Sequence, residues 1–168
     1  MDKLWAPWRV KYITKILKEN KGCVFCKIFK QKKDKNNFIV TRSKYCYSVL
    51  NIYPYNNGHM LVLPNRHVDD LSKLTREERD DLMDLLEETK KLLDSVLKPG
   101  GYNIGINLGR VAGAGFPGHL HIHIVPRWYG DVNFMPVVAN TKVISQSLRT
   151  LHDRLCHANK KRNRRVRK

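Results

Sequence analysis

Gly118-His119-Leu120-His121-Ile122-His123-Ile124-Val125 alternates imidazole and aliphatic side chains without a break from His119 to Ile124. Successive side chains of an extended chain point to opposite faces. His119, His121 and His123 are therefore expected on one face of a strand, with Leu120, Ile122 and Ile124 on the other. The aliphatic set is what a core takes, and the imidazoles then stand side by side, roughly 7 Å from one to the next. A solvated strand face draws on Thr, Lys, Glu and Ser, whereas this one gathers three of the chain's seven histidines. Two chemistries suit such a row. Neutral histidines at alternate positions can bind zinc, or one imidazole can act as a nucleophile while its neighbours hold its tautomer and stabilise charge. The turn directly upstream, Gly109 to Gly118, carries four glycines that leave backbone N–H groups free to surround phosphate oxygens, Gly113 and Gly115 among them. It lacks the Gly-Lys-Ser/Thr of a P-loop. Beside the three histidines it favours the nucleophile.

Working outward, Asn37 to Thr41 and Tyr45 to Ile52 are rich in β-branched and aromatic residues and are expected as strands. Tyr53 to Gly58 has turn composition, Asn57-Gly58 being a hairpin signal, and a strand from His59 to Leu63 follows. Thr75-Arg76-Glu77-Glu78 predicts a capping box. Behind it, leucines at helical spacing run to Leu97 before Pro99-Gly100-Gly101. Tyr102 to Leu108 alternates as a strand, and Val143 to Ala158 is expected to form a terminal helix. Hairpin-linked strands around one long helix, with no βαβ rhythm, predict an α+β domain with an antiparallel sheet and flanking short helices.

The chain's 168 residues suffice for one domain. Its organisation is expected to be an N-terminal extension over 1–22, a domain over 23–158 and a basic, disordered tail over 159–168. Trp5 and Trp8 of the extension are expected to pack on the domain or on a dimer partner. The formal net charge is +17, and the ends supply it: residues 1–48 hold 13 Lys/Arg against 3 Asp/Glu, and 160–168 hold 7 Lys/Arg and no acid. Solubility and a weak polyanion or RNA contact are the two meanings such termini can have. No apolar run reaches membrane-spanning length, and four cysteines without a signal peptide point to a cytoplasmic protein.

Cys23-Val24-Phe25-Cys26 has the spacing of two thiolate ligands, and His67 is the best candidate for a third. A pair of free buried thiols is the alternative. Cys46 and Cys156 read as small hydrophobes.

In its motifs the chain resembles the histidine-triad family. His119 to Val125 satisfies the family's signature of three histidines, each followed by a hydrophobic residue, plus one more. Asn51-Ile52-Tyr53-Pro54 with Gly58-His59-Met60-Leu61-Val62-Leu63-Pro64 is similar to its second block, and Asn107-Leu108-Gly109 with Gly113 to its third. The likeness spans about residues 23–130. Leu4-Trp5-Ala6-Pro7-Trp8-Arg9, the Cys-Val-Phe-Cys run and Pro126-Arg127-Trp128 resemble a prokaryotic branch of dinucleoside polyphosphate hydrolases and phosphorylases.

The resemblance implies a nucleotidyl-histidine intermediate on His121, a phosphate contact from His123, and an orienting or leaving-group role for His119. It places Asn51 at the ribose hydroxyls, Asn107 near the phosphates and His59 as a buried support behind the triad. His119 would also complete a structural zinc site with Cys23, Cys26 and His67; no organic cofactor is implied. A homodimer is the family's common state. The family's Ser or Thr just before the triad is missing, since Ala114-Gly115-Phe116-Pro117 offers no hydroxyl. Arg110 as a distal-phosphate contact competes with a solvated arginine, and Trp128 as a base stack competes with packing. Water as the acceptor makes a hydrolase and inorganic phosphate a phosphorylase. A phosphoramidase, and a nucleotide- or RNA-binding module without turnover, are the other functions compatible with these residues.

Overall fold

Leu61 of one strand faces His123 of another, and that pairing sets the middle of a five-stranded antiparallel sheet. The computed structural model describes residues 22–131 and 144–166. Its strands are β1 (Ile39–Arg42), β2 (Cys46–Leu50), β3 (Met60–Pro64), β4 (Gly101–Ile106) and β5 (Ile122–Arg127), in the spatial order β1-β2-β3-β5-β4. The helices are α1 (Val24–Gln31), α2 (Asp34–Asn37), α3 (Arg76–Leu97) and α4 (Leu148–Val166), with a 3₁₀ turn at Leu71–Lys73. This is the expected α+β sheet, long helix and short flanking helices.

The two faces of the sheet carry different loads. Leu50, Met60, Val62, Ile122 and Ile124 point to one side, where they bury Leu82, Leu85, Leu92 and Leu93 of α3 and Leu151 and Leu155 of α4. Each fully buried leucine contributes about 1.5–3 kcal/mol of transfer free energy, so this side holds the domain together. The other side carries Tyr47, Val49, Leu61 and Leu63, covered by Phe25 of α1. That thinner layer leaves room for a cleft.

The capping box at α3 forms as predicted. The Glu78 N–H donates to Thr75 Oγ1 at 3.2 Å, and the Thr75 N–H donates to Glu78 Oε2 at 2.9 Å. The Arg66 guanidinium donates to both Glu78 oxygens, at 2.9 and 2.7 Å, and holds the carboxyl down to about 2. Arg127 does the same to Asp131, which also sits at about 2. Both folded values lie below the ordinary carboxylate range. These groups therefore add stability above about pH 4.5, and it is lost as pH falls toward 2. We expect the thermal midpoint to drop through that window, and Glu78→Gln to flatten part of the drop. An unchanged acid profile in that variant would refute the assignment.

Several expectations shift. Asn37 closes α2 instead of opening β1, because Phe38 takes a left-handed backbone (φ 58°) as its C-cap. The connection from Leu50 to Met60 is a long loop, with Gly58 at φ 76° against Leu93 and Pro126. The strand expected from His119 begins only at Ile122. α4 starts at Leu148 and continues to Val166, so residues 159–166, expected as a disordered tail, are helical. Tertiary contacts account for this. The Asn159 amide donates to Thr41 Oγ1 at 3.0 Å, and Arg162 pairs with Glu88 at 3.0 Å. The N-terminal extension with Trp5 and Trp8 lies outside the described residues, apart from Gly22. Among the described residues no helix is long and apolar enough to cross a membrane.

Candidate active site and metal cluster

A cleft of about 620 Å³ opens on the thinner face of the sheet, with His121 and His123 in its wall. Val49, Leu61 and His123 come from neighbouring strands in register and form its floor. Asn51 and Tyr53 to Tyr55 come from the β2–β3 loop, and Gly113, Gly115 and Phe116 from the glycine turn. α1 and α2 close it with Val24, Phe25, Ile28, Asn36, Asn37 and Phe38. This wall was not among the expected site residues. Its signal was present as apolar residues at 24, 25, 28 and 29, which is helical spacing hidden inside a lysine-rich stretch.

Hydrogen bonds settle which nitrogen of each ring faces the cleft. The His121 Nδ1–H donates to the His119 carbonyl at 2.7 Å, which leaves the Nε2 lone pair for chemistry. The Tyr55 backbone N–H donates to His59 Nδ1 at 3.0 Å. The proton of neutral His59 then sits on Nε2, which donates to His123 Nδ1 at 2.9 Å. His123 is left with its proton on Nε2, a buried nitrogen with no protein partner among the described residues. One ring thus offers a lone pair and the next a proton, with ring centroids 4.9 Å apart. Burial lowers all three imidazoles: His119 and His123 to about 4, His123 with help from neighbouring His121, and His121 in the same direction. At neutral pH they are uncharged, as a nucleophilic imidazole must be.

His119 departs from the picture of three equivalent imidazoles. Its ring is outside the cleft wall. The Nε2–H donates to the Pro64 carbonyl at 3.0 Å, and Nδ1 lies 3.3 Å from Cys23 Sγ and 3.6 Å from Cys26 Sγ. Both ring nitrogens thus have partners away from the cleft, an arrangement that suits the orienting role of the two expected for His119. The His119 carbonyl, by contrast, is bonded to the His121 ring. Asn107, Arg110 and Trp128 also lie outside the cleft lining, and the Trp128 N–H is bound to Asp131 instead. Asn51, Gly113 and Gly115 line the cleft. His59 is 1 % exposed, packed behind His123 and under the Tyr55 ring.

Cys23, Cys26, His67 and His119 converge so that their ligand atoms all lie within 4.8 Å of one another. Cys26 Sγ is 3.4 Å from His67 Nδ1. Tetrahedral zinc with bonds of 2.0–2.3 Å separates its ligands by about 3.3–3.8 Å, and the three sulfur–nitrogen spacings of 3.3, 3.4 and 3.6 Å suit such an ion. Two thiols and two imidazoles are also the donor set of structural zinc sites.

Fold and cleft together define the class: an α+β domain with an antiparallel sheet and a histidine-lined cleft on one face of it. A profile of the HIT domain matches residues 32–129. The chain is 39% identical over 155 residues, 89% of its length and 80% of the relative's, to a Mycobacterium tuberculosis protein named AP-4-A phosphorylase. It is 37% identical over 90 residues, 54% of this chain and 49% of the relative, to the asymmetrical bis(5'-nucleosyl)-tetraphosphatase of Schizosaccharomyces pombe. Among solved structures, a Zn-bound histidine triad family protein from Mycobacterium smegmatis superposes with a TM-score of 0.67 at 24% identity. The match covers 84% of this chain and 96% of that one. The chain belongs to the histidine-triad (HIT) family.

Proposed function

We propose that this enzyme cleaves dinucleoside polyphosphates at an α-phosphate, with His121 as nucleophile and inorganic phosphate as the preferred acceptor. The observation that carries the reading is the 2.7 Å bond from His121 Nδ1 to the His119 carbonyl, which leaves Nε2 as that ring's reactive nitrogen. In the first step His121 Nε2 forms a P–N bond to the α-phosphorus, and the bond to the bridging oxygen breaks. His123 Nε2–H stands to donate to the leaving oxygen or to a non-bridging oxygen as charge gathers there. In the second step the acceptor oxygen attacks the same phosphorus, the P–N bond breaks, and His121 is restored. Backbone N–H groups around Gly113 and Gly115 take the place of the missing hydroxyl, and Asn51 meets the ribose.

Phosphate is placed ahead of water on the strength of the phosphorylase relative, whose match spans most of both chains. Product analysis on diadenosine tetraphosphate tests this. ADP plus ATP formed only with phosphate is the expected result, whereas AMP plus ATP without it would make the enzyme an asymmetric hydrolase. Two ADP in the absence of phosphate would place attack at a β-phosphorus and sink the α-phosphate assignment.

Zinc is the metal proposed for Cys23, Cys26, His67 and His119, in a structural role that ties α1 to the strand bearing the triad. A homodimer is proposed through β4, an edge strand with Ile104 47 % exposed, which has unpaired backbone groups to offer a second copy. The basic end of α4, with Lys160, Lys161, Arg162 and Arg164, supports a weak polyanion contact, and a cytoplasmic location fits the reduced thiols.

A further inference from the structure

Phe25 touches two sites at once. It lies in α1 between Cys23 and Cys26 and is 7 % exposed. Its ring packs against His119 with centroids 5.5 Å apart, against His121 at 5.4 Å, and edge-on to Phe116 at 5.3 Å. Phe25, Val24 and Ile28 together form the α1 wall of the cleft. One short helix thus carries a thiol pair at its start and a stretch of nucleotide-pocket wall along its length.

What holds this helix is concentrated toward its C-terminal end, where Phe29 packs on Tyr47 with centroids 5.3 Å apart. It packs on the smaller of the two apolar layers, away from α3 and α4. Its N-cap, Cys23, makes no side-chain capping bond. Its backbone is anchored by the Tyr47 hydroxyl donating to the Phe25 carbonyl at 3.0 Å and, toward its C-terminal end, by the Asn37 amide donating to the Ile28 carbonyl at 3.3 Å and Arg42 to the Phe29 carbonyl at 3.1 Å. The remaining tie at its N-terminus is the convergence of Cys23 and Cys26 on His67 and His119.

We infer that Phe25 couples the metal cluster to the nucleotide cleft, so that metal and nucleotide each bind more tightly when the other is present. Drawing Cys23 and Cys26 onto a common ion with His119 seats the Phe25 ring against His121 and sets the α1 wall. A nucleotide filling the cleft presses on the same wall from the opposite side. Reciprocity is then required thermodynamically, with both affinities changing by one factor. The inference rests on the nucleotide and zinc assignments above.

AMP serves as the probe, with binding measured by calorimetry on the full chain, zinc-loaded and after chelation. We expect AMP to bind about tenfold more weakly to the stripped protein, and saturating AMP to tighten zinc in a chelator competition by the same factor. Far-UV circular dichroism of the stripped chain checks that the sheet and α3 persist. Phe25→Leu, which keeps an apolar filler but no ring, is expected to retain one zinc while the ratio of AMP affinities falls toward one. Equal AMP affinity with and without zinc would overturn the coupling, and a full ratio in Phe25→Leu would remove Phe25 as its carrier. Failure of the loaded protein to bind AMP at all would sink the nucleotide assignment, and failure to take up zinc the metal assignment. The coupling falls with either.

Discussion

His121→Ala is expected to lower kcat/KM for diadenosine tetraphosphate on the order of 10⁴-fold or more, because removing a covalent nucleophile leaves only binding and oxyanion contacts. The substitution also orphans the His119 carbonyl, which now accepts the His121 Nδ1–H at 2.7 Å, so a stability loss of about 1–3 kcal/mol should accompany it. The two effects are separable. Calorimetry reports the second, while brief incubation with substrate followed by mass spectrometry reports the first through loss of a nucleotidyl adduct. Activity within tenfold of the parent, or an adduct that survives the substitution, would move the nucleophile elsewhere. Because burial lowers His123 to about 4, its Nε2–H is supplied by a neutral ring throughout the neutral range.

The second large effect is expected at the thiols. Cys26→Ser should weaken zinc by at least about 100-fold, since losing a ligand costs more than the 10–100-fold seen for residues that merely orient one. Metal analysis on protein purified with added zinc should fall from one ion per chain toward none. The fold should survive with a lowered thermal midpoint, because the larger core between the sheet and α3 and α4 does not include α1. A full complement of zinc in Cys26→Ser, or none in the parent, would refute the ligand set. Serine keeps the size and shortens the donor's reach to a harder oxygen, so loss is attributable to chemistry more than to packing.

The elements that the sequence specified well are those with a local cause. α3 was legible because a capping box, leucines at helical spacing and a Pro-Gly-Gly stop agree over its whole length. β2, β3 and β5 were legible because β-branched and aliphatic runs alternate or fill both faces. α1 and α2 were not, since their apolar residues are few and sit among Lys27, Lys30, Lys32, Lys33 and Lys35, a composition that reads as solvated loop. α1 acquires helical order from packing on Tyr47, Val49 and Leu61, residues distant in the chain, and α2, which has no apolar residue, is tied down by Asp34 paired with Arg42 at 2.7 Å. The end of α4 escaped for the same reason: its five basic residues from Lys160 to Arg165 carry no local reason to order, while Asn159 and Arg162 find partners on β1 and α3.

By itself, the run from His119 to Val125 determined which residue types face one another and which aliphatic side chains enter the core, because the period of an extended chain is local geometry. With its neighbouring blocks it also determined the family and the chemistry to expect. The division of labour among the three histidines was decided only by tertiary structure. Which ring nitrogen carries a proton depends on a carbonyl or backbone N–H brought from elsewhere: Pro64 for His119, Tyr55 acting through His59 for His123. His121 alone is fixed by its immediate neighbours in the chain, through the carbonyl two residues before it, just ahead of β5. In the sequence His121 is singled out through the family resemblance alone, whereas His119 is drawn to Cys23 and Cys26 by a helix some ninety residues away.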